Sequence, residues 1–108
     1  MATEDDARAL ALALPETSER PMYGTPAFYV VKKWFARMHE MPGVMVLPLA
    51  AEEHKHELVA ADPGVFFTTA HFDGYAAVLV RLAEVGREEL GELLADAWRL
   101  RAPRRLQR

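Results

Sequence analysis

The sequence contains no cysteine. That excludes a disulfide framework, a thiolate zinc site and a cysteine nucleophile, and it agrees with a reducing compartment. No apolar run approaches the ~20 residues needed to cross a bilayer. There is no internal repeat, low-complexity stretch or linker, and Pro and Gly fall singly at places that read as turns. The first residues, Met1-Ala2-Thr3-Glu4-Asp5-Asp6, are acidic where a signal or transit peptide is basic. A cytoplasmic protein without a membrane partner is the expectation. The chain of 108 residues sets a further limit, because ~100 residues suit one domain with one core.

Charge is present but unevenly placed. Residues 1–98 hold eight basic and 16 acidic side chains, which leaves −8 in the body. The last ten residues hold Arg99, Arg101, Arg104, Arg105 and Arg108 with no acid, which leaves +5. The net charge of −3 excludes attraction of the whole molecule to nucleic acid or anionic lipid. A local basic contact remains open, because guanidinium forks match phosphate oxygens. The alternative is a solvated tail that supports the last helix dipole.

The residue pattern predicts helices and short strands in alternation. Thr3 suits an N-cap for a helix over 4–14, whose first turn is acidic and whose apolar positions Ala7, Leu10, Ala11 and Leu14 recur at helical spacing. Residues 16–26 are polar, with room for a short edge strand. Strands are predicted over 27–31, 34–38 and 44–47, with Lys32-Lys33 at a hairpin turn. Alternation places Trp34, Ala36 and Met38 on one face of the second strand, and Phe35 and Arg37 on the other. A helix over 50–61, strands over 65–69 and 75–82, and a helix from Arg87 to Pro103 with Gly86 at its cap complete the order. The expected fold class is α+β: a mainly antiparallel sheet with helices packed on one face, in the order α-βββ-α-ββ-α. A single domain, residues 1–108, ends in a basic tail over 99–108.

Several segments in sequence resemble one family. They are Ala11-Leu12-Ala13-Leu14-Pro15, Gly24-Thr25-Pro26-Ala27-Phe28-Tyr29-Val30, Phe35-Ala36-Arg37-Met38-His39-Glu40, Asp62-Pro63, His71-Phe72-Asp73-Gly74-Tyr75, Val78-Leu79-Val80-Arg81-Leu82 and Asp96-Ala97-Trp98-Arg99-Leu100. Their order and spacing are similar to those of the MmcQ/YjbR family of small bacterial proteins. The resemblance implies a CyaY-like (frataxin-like) fold and a DNA-binding label that stems from a double-wing surface; fold alone does not fix function. The sequence departs from the family pattern where a strand lysine is usual (Met45-Val46-Leu47), where Tyr follows His (His71-Phe72), and where Trp precedes Val (Ala77-Val78).

Each candidate residue also has a plain structural role. Lys32, Lys33 and Arg37 form the most compact basic group of the body and suit a wing laid on a phosphate backbone, with Arg99, Arg101, Arg104 and Arg105 as further contacts. Lysines at a hairpin also serve merely to keep an edge soluble. Tyr29, Trp34 and Tyr75 offer flat faces for bases where they are exposed. His71 and Tyr75 are ligand candidates in a shared segment, although His71 has no visible nucleophile or oxyanion partner. His54 and His56 sit two apart, which is not a one-face ligand spacing, so Glu52 to Glu57 reads as a solvated helix face rather than a metal site. Glu4, Asp5, Asp6, Glu16 and Glu19 form an acidic region that has sufficient reason in helix capping. Met22, Met38, Met41 and Met45 read as gap-fillers of a core.

Thus the family resemblance and the basic clusters together imply a non-enzymatic, DNA-binding module, and the expectation is of no cofactor, no metal and a monomer. The alternative is a protein-interaction or small-ligand domain that uses the exposed sheet face. The departures from the family pattern make that face more apolar.

Overall fold

A computed structural model describes residues 1–107. Thr3 caps helix α1 (Glu4–Leu12) with a full capping box: its hydroxyl accepts from the Asp6 N–H, and the Asp6 carboxylate accepts from the Thr3 N–H. The helix stops two residues before the expected end, at the Ala13 cap. Four strands follow: β1 (Thr17–Met22), β2 (Thr25–Val30), β3 (Lys33–Met38) and β4 (Val44–Pro48). Helix α2 (Glu52–Ala61), a short β5 (Phe66–Phe67), a 3-10 turn at Ala70–Phe72, β6 (Ala77–Arg81) and helix α3 (Arg87–Arg101) complete the chain, with one more 3-10 turn at Arg104–Leu106.

The six strands form one antiparallel sheet in the order β1-β2-β3-β4-β6-β5. The α+β class is as expected, but the first strand group has four members rather than three. The polar stretch does hold an edge strand, β1. As an edge it has few side chains to bury and tolerates Pro21, so its sequence carries little hydrophobic alternation.

Helices α1 and α3 cover one sheet face. Their residues Ala7, Ala11, Leu90, Leu94, Ala97 and Trp98 join Phe28, Val30, Met45, Leu47, Val78 and Val80 in the main core. The buried Trp98 indole N–H donates to the Pro15 carbonyl at 3.0 Å, which ties α3 to the end of α1. Burying these side chains contributes roughly 1.5–3 kcal/mol each for the larger ones, before conformational entropy is subtracted.

Strand β3 does not alternate as its sequence suggests. Phe28 and Tyr29 are adjacent in β2 but pair with Ala36 and Trp34, so Phe35 is an extra, bulged residue. The bulge turns Phe35 into the main core beside Ala36 and Met38, and it turns Trp34 to the opposite face with Arg37. The predicted facing of Trp34 and Phe35 is therefore reversed. On that opposite face a smaller cluster forms from Val44, Val46, Phe72, Ala77 and Leu79, with Trp34 and Phe67 against it. Of the four methionines expected to fill the core, Met38 and Met45 do so; Met22 is half-buried and Met41 is exposed.

Candidate functional site: the second face of the sheet

Strand register decides what this second face displays. Arg20 and Ala27 are partners, as are Tyr29 and Trp34, Arg37 and Val46, and Phe67 and Leu79. Partners share a face, so the strands present Arg20, Arg37 and Arg81 there, with Tyr29, Trp34 and Phe67, and no carboxylate. The strands hold one carboxylate, and it lies on the helix side. Glu19 in β1 points that way and meets Arg8 of α1 at 2.8 Å.

The arginines stack on the aromatics. The Arg20 guanidinium lies 4.0 Å above the Tyr29 ring, and that of Arg81 lies 4.0 Å above Phe67. Arg101, at the end of α3, reaches round to Trp34 at 5.3 Å. Stacked guanidinium planes keep their edge donors available for oxygen acceptors. Arg81 uses one edge on the Pro63 carbonyl at 3.0 Å.

At the centre of this face lies a concave site. Two adjoining hollows of about 600 and 460 Å³ share Tyr23, Arg37 and His71. These sizes fall in the range of small-molecule sites. Arg37 forms the floor, with only 9% of its side chain exposed. A charge so far removed from water is costly unless it is well paired. Its partners among the described residues are weak: the Met38 carbonyl at 3.5 Å and the Glu40 carboxylate at 3.7 Å. The tip of the β1–β2 hairpin supplies Tyr23, and the loop over 70–75 supplies His71 and Tyr75. Both tyrosines are exposed.

Two features hold that rim in place. Tyr23 and Gly24 form a two-residue turn with φ of 53° and 79°. Positive φ at both positions is the type I′ geometry, in which Asn-Gly is usual and a Tyr is strained. On the other side, Lys55 of α2 is 1% exposed. Its ammonium donates to the Phe72 carbonyl at 2.9 Å and the Tyr75 carbonyl at 3.0 Å, with Glu52 at 3.7 Å. Glu52 also accepts from the Gly74 N–H at 3.0 Å. The reading of Glu52 to Glu57 as a solvated face fails at Lys55 for this reason: the loop over 70–75 lies on it. A lysine between two histidines carries no local sign of burial, so sequence reasoning missed it.

The seven nominated cations do not form one patch. Lys32 and Lys33 are exposed at the β2–β3 hairpin. Arg105 sits near that end but is held by Glu16 at 2.8 Å and 3.1 Å. This bond raises the Arg105 pKa and lowers that of Glu16. Arg104 is exposed. Arg101 joins the same end through Trp34, and one of its side-chain nitrogens, Nε, is buried without a partner. Arg99 pairs with Asp96 at 2.7 Å and lines a groove between α2 and α3 instead. Arg37 is buried on the second face. Arg108 lies outside the described residues. His71 packs edge-on to Phe72 at 5.1 Å and lines both hollows. The acidic N-terminal residues are engaged by arginines: Glu4, Asp5 and Glu19 by Arg8, and Asp6 by Arg87.

Comparison with known proteins decides the family. The YjbR family model matches residues 12–100. The chain belongs to the YjbR family. Its relatives include uncharacterized protein Mb2600 of Mycobacterium bovis and uncharacterized protein Rv2570 of Mycobacterium tuberculosis, each 36% identical over 120 residues, covering 98% of this chain and 93% of the relative. The crystal structure of Deinococcus radiodurans protein DR2400, with a domain of the DUF419 family, is similar at a TM-score of 0.75 and 29% identity, covering 93% of this chain and 78% of that one. Similarity over this much of the chain bears out the resemblance that the motifs suggested, and the α+β fold with it. No helix among the described residues is long and apolar enough to cross a membrane.

Proposed function

We propose that this YjbR-family protein is a non-enzymatic nucleic-acid-binding module that takes a single DNA strand across the second face of its sheet. One observation carries the reading: the strands of that face display three arginines and three aromatics and no carboxylate, in a chain whose net charge is −3. Guanidinium planes stacked on aromatic rings offer flat cationic faces to unpaired bases and edge donors to their phosphates. They do not suit the closed stack of a duplex. The hairpin wing and arginine tail support a duplex reading less well, because Arg99 and Arg105 are paired and Arg37 is not on the wing's surface.

Fluorescence anisotropy with labelled single-stranded and duplex oligonucleotides tests the reading. Single strands bind at low salt, and the log–log salt slope is about −2, as about three phosphate contacts on a single strand require. Arg20→Ala and Arg81→Ala each weaken binding. No binding at the lowest salt, or tighter binding to duplex that Lys32→Ala and Lys33→Ala abolish, overturns it. A small-ligand reading has its own support in the hollow above Arg37.

A further inference from the structure

The Arg37 hollow is built differently from the rest of the face. Arg20 and Arg81 lie at the flanks, whereas Arg37 is buried at the bottom of a concave site. A guanidinium has five N–H donors. Arg37 uses one of them, at 3.5 Å, on its neighbour's carbonyl. Its countercharge, Glu40, stands 3.7 Å away on a side chain that is 60% exposed. Such an exposed carboxylate at that distance contributes little. Among the described residues no protein group takes the remaining donors, which are not sealed from solvent, so an oxyanion with better geometry can take them.

The donors beside it agree. The His39 Nδ1 accepts the Met41 N–H at 3.0 Å, so in the neutral ring the proton is on Nε2. That Nε2 lies 3.5 Å from the second oxygen of Glu40. Glu40 thus occupies, loosely, the position between Arg37 and His39 where an anion would sit. Above this position the wall is aromatic. Tyr23 stands with its ring centroid 5.8 Å from the Arg37 guanidinium carbon, and Tyr75 stands on the loop opposite. Tyr23 holds its place at a conformational cost that Asn would avoid, and strain of this kind concentrates at binding sites.

We propose that this hollow binds a flat aromatic ring carrying a single oxyanion group, as in a nucleoside 5′-monophosphate or the 5′-phosphorylated end of a strand. The oxyanion displaces Glu40 and takes Arg37 and His39, and the ring enters between Tyr23 and Tyr75. One buried arginine matches one phosphate, and Glu40 disfavours a polyphosphate. The inference does not rest on strand binding, since a free mononucleotide is enough to fill the site.

Isothermal titration of the full chain with adenosine 5′-monophosphate, adenosine and ribose 5-phosphate tests it. The monophosphate binds, and each fragment binds at least about tenfold more weakly, the loss expected for one charge-assisted bond or one stacked ring. Arg37→Met abolishes binding. Should that variant fail to fold, two exposed positions decide. Glu40→Gln tightens monophosphate binding about threefold or more at low salt, because it removes the competing carboxylate. Tyr23→Asn weakens binding at least about fivefold while it melts no lower than the parent, because Asn-Gly suits the turn. Equal binding of monophosphate and adenosine, no monophosphate binding at millimolar concentration, or weaker binding by Glu40→Gln overturns the proposal. Oligothymidines with and without a 5′-phosphate identify the source: preference for the phosphorylated end assigns the site to strand termini, and no preference assigns it to the free nucleotide. Loss of monophosphate binding with strand binding intact refutes this site alone; the converse refutes strand binding alone.

Discussion

Replacing Lys55 by Met tests the support under the site most directly. Met keeps most of the aliphatic stem and removes the ammonium. In the parent, that ammonium donates to the Phe72 and Tyr75 carbonyls at 2.9 and 3.0 Å. Hydrogen bonds to a charged group are worth about 1.5–3 kcal/mol each, and a buried acceptor left unpaired costs about 1–3 kcal/mol. The Phe72 carbonyl is shielded and bears that full cost. The Tyr75 carbonyl is partly open, and water recovers much of its loss. Against this, the substitution removes the desolvation penalty of an ammonium that is 1% exposed, which for a buried ion amounts to several kcal/mol before pairing. Two short bonds and a third partner, Glu52 at 3.7 Å, make the pairing good enough that the net change is a loss of about 1–3 kcal/mol. For a domain of this size that lowers Tm by roughly 4–15 °C. Thermal unfolding followed by circular dichroism measures it. Amide exchange should accelerate at Asp73 and Tyr75, the loop that Lys55 holds, more than in β4. A variant that melts with the parent or above it, with exchange in this loop unchanged, refutes the staple: Lys55 would then be a tolerated burial and not a fastener.

Two further outcomes concern the fold itself. Val31 has φ of 55° and is exposed at the β2–β3 turn. A β-branched residue in the left-handed region costs about 1–2 kcal/mol, so Val31→Gly should raise stability by about 0.5–1 kcal/mol after the entropy of the glycine is subtracted; a lower urea midpoint counts against this. The second outcome is pH dependence. The Asp6 pKa is lowered, chiefly by the hydrogen bond from the Thr3 backbone, and that of Glu16 is lowered by its bond from Arg105. Depressed folded values mean that both carboxylates stabilise the fold above the ordinary carboxylate range of about 4, and that this contribution is lost as pH falls through the folded values. The double variant Asp6→Asn, Glu16→Gln should lose less stability than the parent between pH 5 and 2, measured as urea midpoints (about pH 4 is the point of divergence); parallel curves refute it.

Elements with local causes were legible in the sequence. The Thr3 cap with its acidic first turn, the Gly86 cap and the apolar stripe of α3 are each settled by neighbours within one or two turns. The antiparallel sheet followed from short strands joined by tight turns, and the family resemblance ran along the whole chain because it rests on the order of local segments. Among the site residues, Arg37, His71 and Tyr75 were nominated from sequence and do meet in one hollow. Tyr23 was not nominated, because its sequence signal is only a Tyr-Gly turn, and which turn overhangs the sheet face is decided by strand pairing.

What the sequence by itself determined, then, is the helices, the turns, the family and a chain acidic in its body and basic at its end. Only the tertiary structure decided how those charges are spent. Arg105 is neutralised by Glu16, 89 residues away. Lys55 is buried by a loop about twenty residues further on. The bulge at Phe35 exchanges the faces of Trp34 and Phe35, and with that the sheet gains a second surface of arginine and aromatic side chains. The physical reason is common to all three. Helix caps and turns are short-range and written into consecutive residues, whereas strand register and charge pairing are set by partners distant in sequence, and one shifted residue reverses which side chains meet the solvent.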